Sequence, residues 1–336
     1  MRPSFQPRLI NGPFDDPGLL VPLIFHKRAI LFDLGDLSAL SAGDILKTDH
    51  IFVSHTHMDH FIGFDRIVRL LLARSKTVSL YGPEGFLENV NGKLSGYTWN
   101  LIHNFPEALT LKVTEVRSDR SIHQTFDCRA KFIPGPKQTT SGFNTLLYQD
   151  AVVNVTAAIL DHQIPCLAFS LQEHFHVNIF KAALDSLGLP VGPWISTFKR
   201  LLYEKADPQT TIDIPDAAAD GDFHRFAINT LASRIARITP GQKITYVVDA
   251  LYSPENEVKI IDLARDSDQL FIEAAFLHRD SHIARAKHHL TARQAGLIAR
   301  NAGVRKMTVF HHSPRYTDQG DLLEAEAREA FEKGDT

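Results

Sequence analysis

The segment Ser54-His55-Thr56-His57-Met58-Asp59-His60 constrains this chain more than any other, because it gathers three imidazoles and a carboxylate within a few residues. It directly follows the apolar run Ile51-Phe52-Val53, which reads as a buried β-strand ending at the motif. Side chains alternate faces along a strand, so His55 and His57 point the same way. Asp59 and His60 then need the chain to turn. Gly63 marks a turn, and Ile62, Ile67, Leu70 and Leu71 carry the spacing of a helix. Neutral imidazole and carboxylate are the usual nitrogen and oxygen ligands of zinc. Ordinary exposed histidines at a strand end do not call for this density, so the motif reads as a metal site.

A binuclear site needs more ligands, and the chain supplies three at similar places. His162 lies in Leu160-Asp161-His162-Gln163-Ile164-Pro165 between two apolar β-like runs, Asp249 ends Ile244–Val248, and His311 ends Met307–Phe310. Any one of these alone reads as a cap or a solvated loop residue. Four predicted strand ends that each carry a metal-capable side chain read together as one site built on rigid elements.

The pattern His-x-His-x-Asp-His after a strand resembles the signature of the metallo-β-lactamase superfamily, a group of metal-dependent hydrolases. Further residues narrow the resemblance to its ribonuclease Z (tRNA 3′-endonuclease) branch. They are Leu160–Pro165 with Glu173, Phe271-Ile272-Glu273-Ala274-Ala275-Phe276, His289-Leu290-Thr291-Ala292-Arg293-Gln294-Ala295 and His311-His312-Ser313-Pro314-Arg315-Tyr316. The likeness runs from Phe32-Asp33-Leu34-Gly35 to Tyr316. It implies an αββα four-layer sandwich of mixed α and β structure and two zinc ions per chain, with Mn2+ or Fe2+ as alternatives. One ion would be held by His55, His57 and His162, the other by Asp59, His60 and His311, with Asp249 bridging. His289 with Glu273 looks like the family's catalytic pair, the imidazole giving a proton to the departing alkoxide, while Asp59 orients the nucleophile. The chain departs from the family in having Val248-Asp249-Ala250 for Gly-Asp-Thr, Ala274-Ala275 for Ala-Thr, and His174-Phe175-His176-Val177 where a basic Arg-Pro-Gly segment is usual. These changes leave metal binding intact and bear on RNA specificity.

Composition sets the outer bounds. The 336 residues, 44% hydrophobic and 22% charged, suit a globular protein with ample core, and ligands spread from His55 to His311 require one hydrolase domain to span nearly all of them. No apolar run approaches the roughly 20 residues that cross a bilayer, and the start lacks a signal-peptide apolar region. A cytoplasmic protein without a membrane partner is expected. Cys128 and Cys166 have no paired spacing, so neither a disulfide framework nor a thiolate metal site is indicated. A net charge of -3 does not advertise nucleic-acid binding, so any RNA contact must come from a local patch.

Strict alternation predicts a strand over Leu109–Val116, with others over Val152–Leu160 and Leu167–Ser170. Helices are expected over Val177–Leu187, Glu255–Arg265 and Ala292–Asn301, the last opened by a capping box at Thr291-Ala292-Arg293-Gln294. Residues from about 173 to 241 read as an insertion or arm, and Leu189-Pro190-Val191-Gly192-Pro193 resembles the Gly-Pro element with which the family grips the tRNA elbow. Against that, Asp207, Asp213, Asp216, Asp220 and Asp222 run without an intervening Lys or Arg and would repel phosphate. Lys199, Arg200 and Lys205 form the compact basic cluster nearby, equally readable as a solvated helix face. Three functions follow in order: cleavage of precursor tRNA at its 3′ end, hydrolysis of small phosphodiesters or sulfate esters, and a degenerate scaffold that only binds. Retention of all the ligands argues against the last. Homodimers are common in the resembling family, so a homodimer is the oligomer it implies.

Overall fold

Runs of β-branched and apolar residues in the first part of the chain pair in the order they are written. A computed structural model describes residues 3–143, 145–216 and 223–334. In it, Arg8–Leu9, Leu19–Leu23, Arg28–Phe32, Thr48–Phe52, Lys76–Gly82, Leu109–Val116, Arg120–Asp127 and Gln138–Ser141 form an eight-stranded sheet in chain order. The four strands from Arg28–Phe32 to Leu109–Val116 run parallel to one another. A second sheet orders its strands as Met307–Phe310, Gln269–Glu273, Lys243–Val247, Pro165–Glu173, Val153–Asp161 and Leu146–Gln149.

The two sheets face each other through aromatic side chains. Phe32 and Phe52 of the first lie with ring centroids 5.7 and 5.5 Å from Phe169 of the second, and Phe32 lies 5.8 Å from Tyr246. Helices cover the outer faces. Helix Phe64–Leu71 buries Phe64, Ile67, Val68 and Leu71, the i, i+3, i+4, i+7 stripe of a helix lying on a sheet. Helix Ala292–Asn301 opens with the expected capping box and buries Ala292, Ala295, Ile298 and Ala299. At its Gly296 a Cβ would come 2.2 Å from the carbonyl oxygen of Ala327, so the glycine is what lets helix Gly320–Lys333 lie against it. The layers are therefore helix, sheet, sheet, helix.

The chain divides into two compact units. Ser4–Leu147, Val155–Leu171 and Lys243–Thr336 make up the one just described, and the other contains Tyr148–Asn154 and Gln172–Gln242. In the latter, the helix expected over Val177–Leu187 is replaced at its start by a strand. Phe175–Ile179 pairs antiparallel with Ala236–Pro240, and the helix covers only Lys181–Ser186. Helix Trp194–Tyr203, the hairpin Thr211–Pro215 with Phe223–Ala227, and helix Ile228–Ile235 complete this unit around Trp194, Phe198, Ile214 and Leu231.

The acidic tract is less uniform than its sequence. Asp213 faces Arg225 across the hairpin at 2.7 Å, and Asp216 lies 3.3 Å from His224. Asp220 and Asp222 lie outside the described residues. In the basic cluster, Arg200 is bound to Glu204 at 2.8 Å, and burial pulls the Lys199 ammonium below its ordinary pKa.

Candidate metal centre

Each expected ligand is delivered by the end of a regular element. The motif follows strand Thr48–Phe52, and His57 serves as the N-cap residue of helix Met58–Phe61. Asp59 and His60 therefore lie in a helical turn, where the sequence reading placed a bend before a later helix. Close approach fixes that turn: a Cβ at Gly63 would lie 2.3 Å from the carbonyl oxygen of Gly35, and the Gly63 amide donates to Leu34 at 2.8 Å. On the second sheet, Lys243–Val247, Gln269–Glu273 and Met307–Phe310 are parallel, with Val247 level with Ile272 and Glu273 level with Phe310. That register brings Asp249, Glu273 and His311 to one sheet end. Asp249 and His311 both take left-handed backbone (φ 51° and 58°), a conformation in which Asp and His are enriched among non-glycine residues and which concentrates at functional sites.

The side chains converge on three overlapping sets whose ligand atoms lie within 4.8 Å of one another: His55, His57, His162 and Asp249; Asp249, Glu273, His289 and His311; and Asp59, His60 and His311. Asp249 Oδ2 lies 3.3 Å from Nε2 of both His55 and His60 and 3.5 Å from Nε2 of His162. His311 approaches Asp249 Oδ1 at 2.9 Å and Asp59 Oδ2 at 3.4 Å. All seven ligands expected from sequence are thus brought together.

The outer hydrogen bonds decide which nitrogen faces inward. His60 Nδ1 donates to Asp33 Oδ2 at 2.9 Å, and His162 Nδ1 donates to the carbonyl of His288 at 2.8 Å. His55 Nδ1 reaches Ser54 Oγ at 3.1 Å, whose own hydroxyl donates to Asp33 at 2.8 Å. In the neutral form that binds metal, Nδ1 carries the proton and each Nε2 turns a lone pair toward Asp249. Lone pairs facing a carboxylate repel unless a cation lies between. Among the described residues, His55 Nε2 and His60 Nε2 are buried without a hydrogen-bond partner. This donor set fits divalent metal.

Electrostatics agree with that fit. Burial pushes His55 down to about 2, leaving it neutral as a ligand must be. Burial also disfavours charge on His60 and His311, yet the surrounding carboxylates, Asp249 foremost, outweigh it and raise both well above the ordinary imidazole value. Burial opposes ionisation of Asp249 and of Asp59 too, but their histidine neighbours hold both below the carboxylate range. The pocket favours positive charge at its centre.

Glu273 and His289 form the pair expected of them. His289 Nδ1 donates to Glu273 Oε2 at 2.8 Å and lies 3.5 Å from Asp249 Oδ1. Glu273 Oε1 accepts from the amides of Ala250 and Leu290, which pins the loop after Asp249 to the loop that carries His289. Burial raises Glu273 and lowers His289, but their mutual attraction wins, holding the carboxyl down at about 2 and the imidazole above its ordinary value.

No family model matches the chain. Curated relatives do. A ribonuclease Z from Deinococcus radiodurans is 29% identical over 305 residues, covering 89% of this chain and 87% of its own. A ribonuclease Z from Bacteroides fragilis is 30% identical over 282 residues, 82% of this chain and 75% of its own. This chain belongs to the ribonuclease Z family. Among solved structures, a metallo-beta-lactamase fold protein from Bacillus subtilis superposes with a TM-score of 0.55 at 16% identity over 97% of this chain and 93% of that one. The fold is accordingly the metallo-β-lactamase fold, and the protein is a metal-dependent hydrolase of the endoribonuclease class.

Sequence reasoning overlooked the role of Asp33. It is fully buried and accepts from Ser54 N at 2.6 Å, from Ser54 Oγ, from His60 and from Tyr246 Oη at 2.9 Å. The available signal was a carboxylate ending the apolar run Ala29-Ile30-Leu31-Phe32, a place where a charge is costly unless it is paired.

Proposed function

We propose that this chain cleaves precursor tRNA at its 3′ end as a ribonuclease Z-type endonuclease using two divalent ions, zinc first. The observation that carries the reading is Asp249, shared between the His55–His57–His162 set and the His311 set with the Glu273–His289 pair directly beside it. When bound, such a pair of ions supplies Lewis-acid polarisation of a phosphoryl oxygen and a nucleophile at neutral pH. His55, His57, His162 and Asp249 would hold one ion, and Asp59, His60, His311 and Asp249 the other. Asp59, whose side chain is 43% exposed, faces the cavity and orients the attacking water through its free lone pairs. His289 gives its proton to the departing ribose oxygen as the P–O bond breaks, and Glu273 keeps that imidazole charged and aimed.

The insertion over 173–241 is proposed as the arm that grips tRNA. Family membership supports a cytoplasmic location and a homodimer as the working state. Among the described residues, no helix is long and apolar enough to cross a membrane. A second reading, hydrolysis of small phosphodiesters, draws on one observation: imidazoles and carboxylates dominate the lining of the metal cavity, with little fixed positive charge for a polyanion. Incubating the pure, zinc-loaded protein with a 3′-extended precursor tRNA, and in parallel with bis(p-nitrophenyl) phosphate, separates the two. Cleavage at the 3′ extension that stops on chelation and returns with zinc supports the first reading; turnover of the ester alone contradicts it.

A further inference from the structure

Resting on the ribonuclease reading above, we propose that Lys287 is a positioning residue that holds the RNA phosphate neighbouring the scissile one. The cavity over the metal ligands has a volume of about 530 Å³, and Asp59, Asp249, His289 and Lys287 are among the residues that line it. Lys287 is the one fixed positive charge among the described lining residues, the remainder being imidazoles, carboxylates and neutral groups. Its side chain is exposed, and no hydrogen bond or ion pair ties it to another described residue. Local neutralisation does not account for it, because Asp59 faces His60 and His311 while Asp249 is surrounded by five imidazoles.

The loop that carries Lys287 is fixed at both ends. Lys287 caps helix Ser281–Ala286 and its amide donates to Ile283 at 2.9 Å. His288 then takes left-handed backbone (φ 60°), and its carbonyl holds the ligand His162. The His289 amide donates back to Ala284 at 2.9 Å. A cation and the proton donor therefore leave the same constrained loop two residues apart, a separation of at most about 7 Å along the chain. That is the scale of a step between neighbouring phosphates, so with His289 at the scissile group the ammonium is free for the next one. Lysine presents a compact point charge suited to such a contact. An ester with one phosphate gives it nothing more to hold.

The test compares wild type, K287A and K287R on a 3′-extended precursor tRNA and on bis(p-nitrophenyl) phosphate over a range of salt. For K287A on the precursor, KM should rise about 2- to 5-fold, the worth of one exposed ion pair, with kcat changed less. Its salt dependence of log kcat/KM should flatten by about 0.7, as for one lost single-strand phosphate contact. K287R should restore both, and the ester should lose less than the RNA. A K287A enzyme with wild-type KM and salt slope on a precursor that wild type cleaves overturns the role of Lys287 alone. Equal losses on both substrates also overturn it, by making the lysine a support of the metal loop. Wild type inert on the precursor removes the ribonuclease reading and this proposal together.

Discussion

His289 owes its basicity to two carboxylates, Glu273 foremost and Asp249 after it. Burial works against its charge, and the Glu273 carboxylate raises it above the ordinary value. A general acid must be protonated, so the alkaline limb of the rate profile follows that pKa. Glu273→Gln keeps a carbonyl acceptor for the Ala250 and Leu290 amides but removes the charge; the limb of RNA cleavage should therefore move to lower pH, and an unmoved limb would show that the pair is not the acid. His289→Ala should lower RNA cleavage by about 10²–10⁴ and cost a nitrophenyl ester much less, because that leaving group departs without a proton; equal losses would contradict the assignment. Asp33 acts one bond further out. Asp33→Ala should weaken zinc binding by about 10–100-fold in competition with a chelator while far-UV circular dichroism stays native, and undiminished affinity would show that His60 needs no such anchor. The expected ligands were legible in the sequence because metal chemistry admits few side chains and four of them follow strand-like runs. Asp33 was legible only as part of a motif, since what defines its role includes Tyr246, 213 residues away.

Elements whose signals are local were read closely. Strand Leu109–Val116 occupies the predicted span, and helix Ala292–Asn301 starts at its predicted capping box. Thr291→Ala removes the side-chain oxygen that accepts from Gln294 N, and should cost about 0.5–2 kcal/mol, seen as a lower denaturant midpoint at unchanged slope; an unshifted midpoint would mean that packing alone sets this helix start. Where the partner is distant, the reading failed. Phe175–Ile179 is a strand because Ala236–Pro240 pairs with it, a contact some sixty residues away that no local periodicity reports. The acidic tract misled for the same reason: Asp213 is neutralised by Arg225 only because a hairpin sets the two opposite each other.

At the scale of the whole chain, the segment proposed as the RNA arm has ends that meet. Phe180 N donates to Ile235 O at 2.9 Å, where Phe175–Ile179 and Ala236–Pro240 leave their short sheet. Replacing residues 181–234 with a short Gly-rich turn keeps that sheet closed. The shortened protein should lose cleavage of precursor tRNA while retaining turnover of bis(p-nitrophenyl) phosphate; loss of both would make the segment part of the catalytic fold, and full retention of tRNA cleavage would show that it grips nothing. The remaining claim is that one buried carboxylate joins two metal sets brought together from His55 to His311 by two parallel sheet ends. It is tested most directly by counting metal. Elemental analysis of the zinc-replete protein should give about two ions per chain, and Asp249→Ala should lose at least one of them, since a bridging carboxylate offsets repulsion between the ions. One ion or none in the zinc-replete wild type would contradict the account.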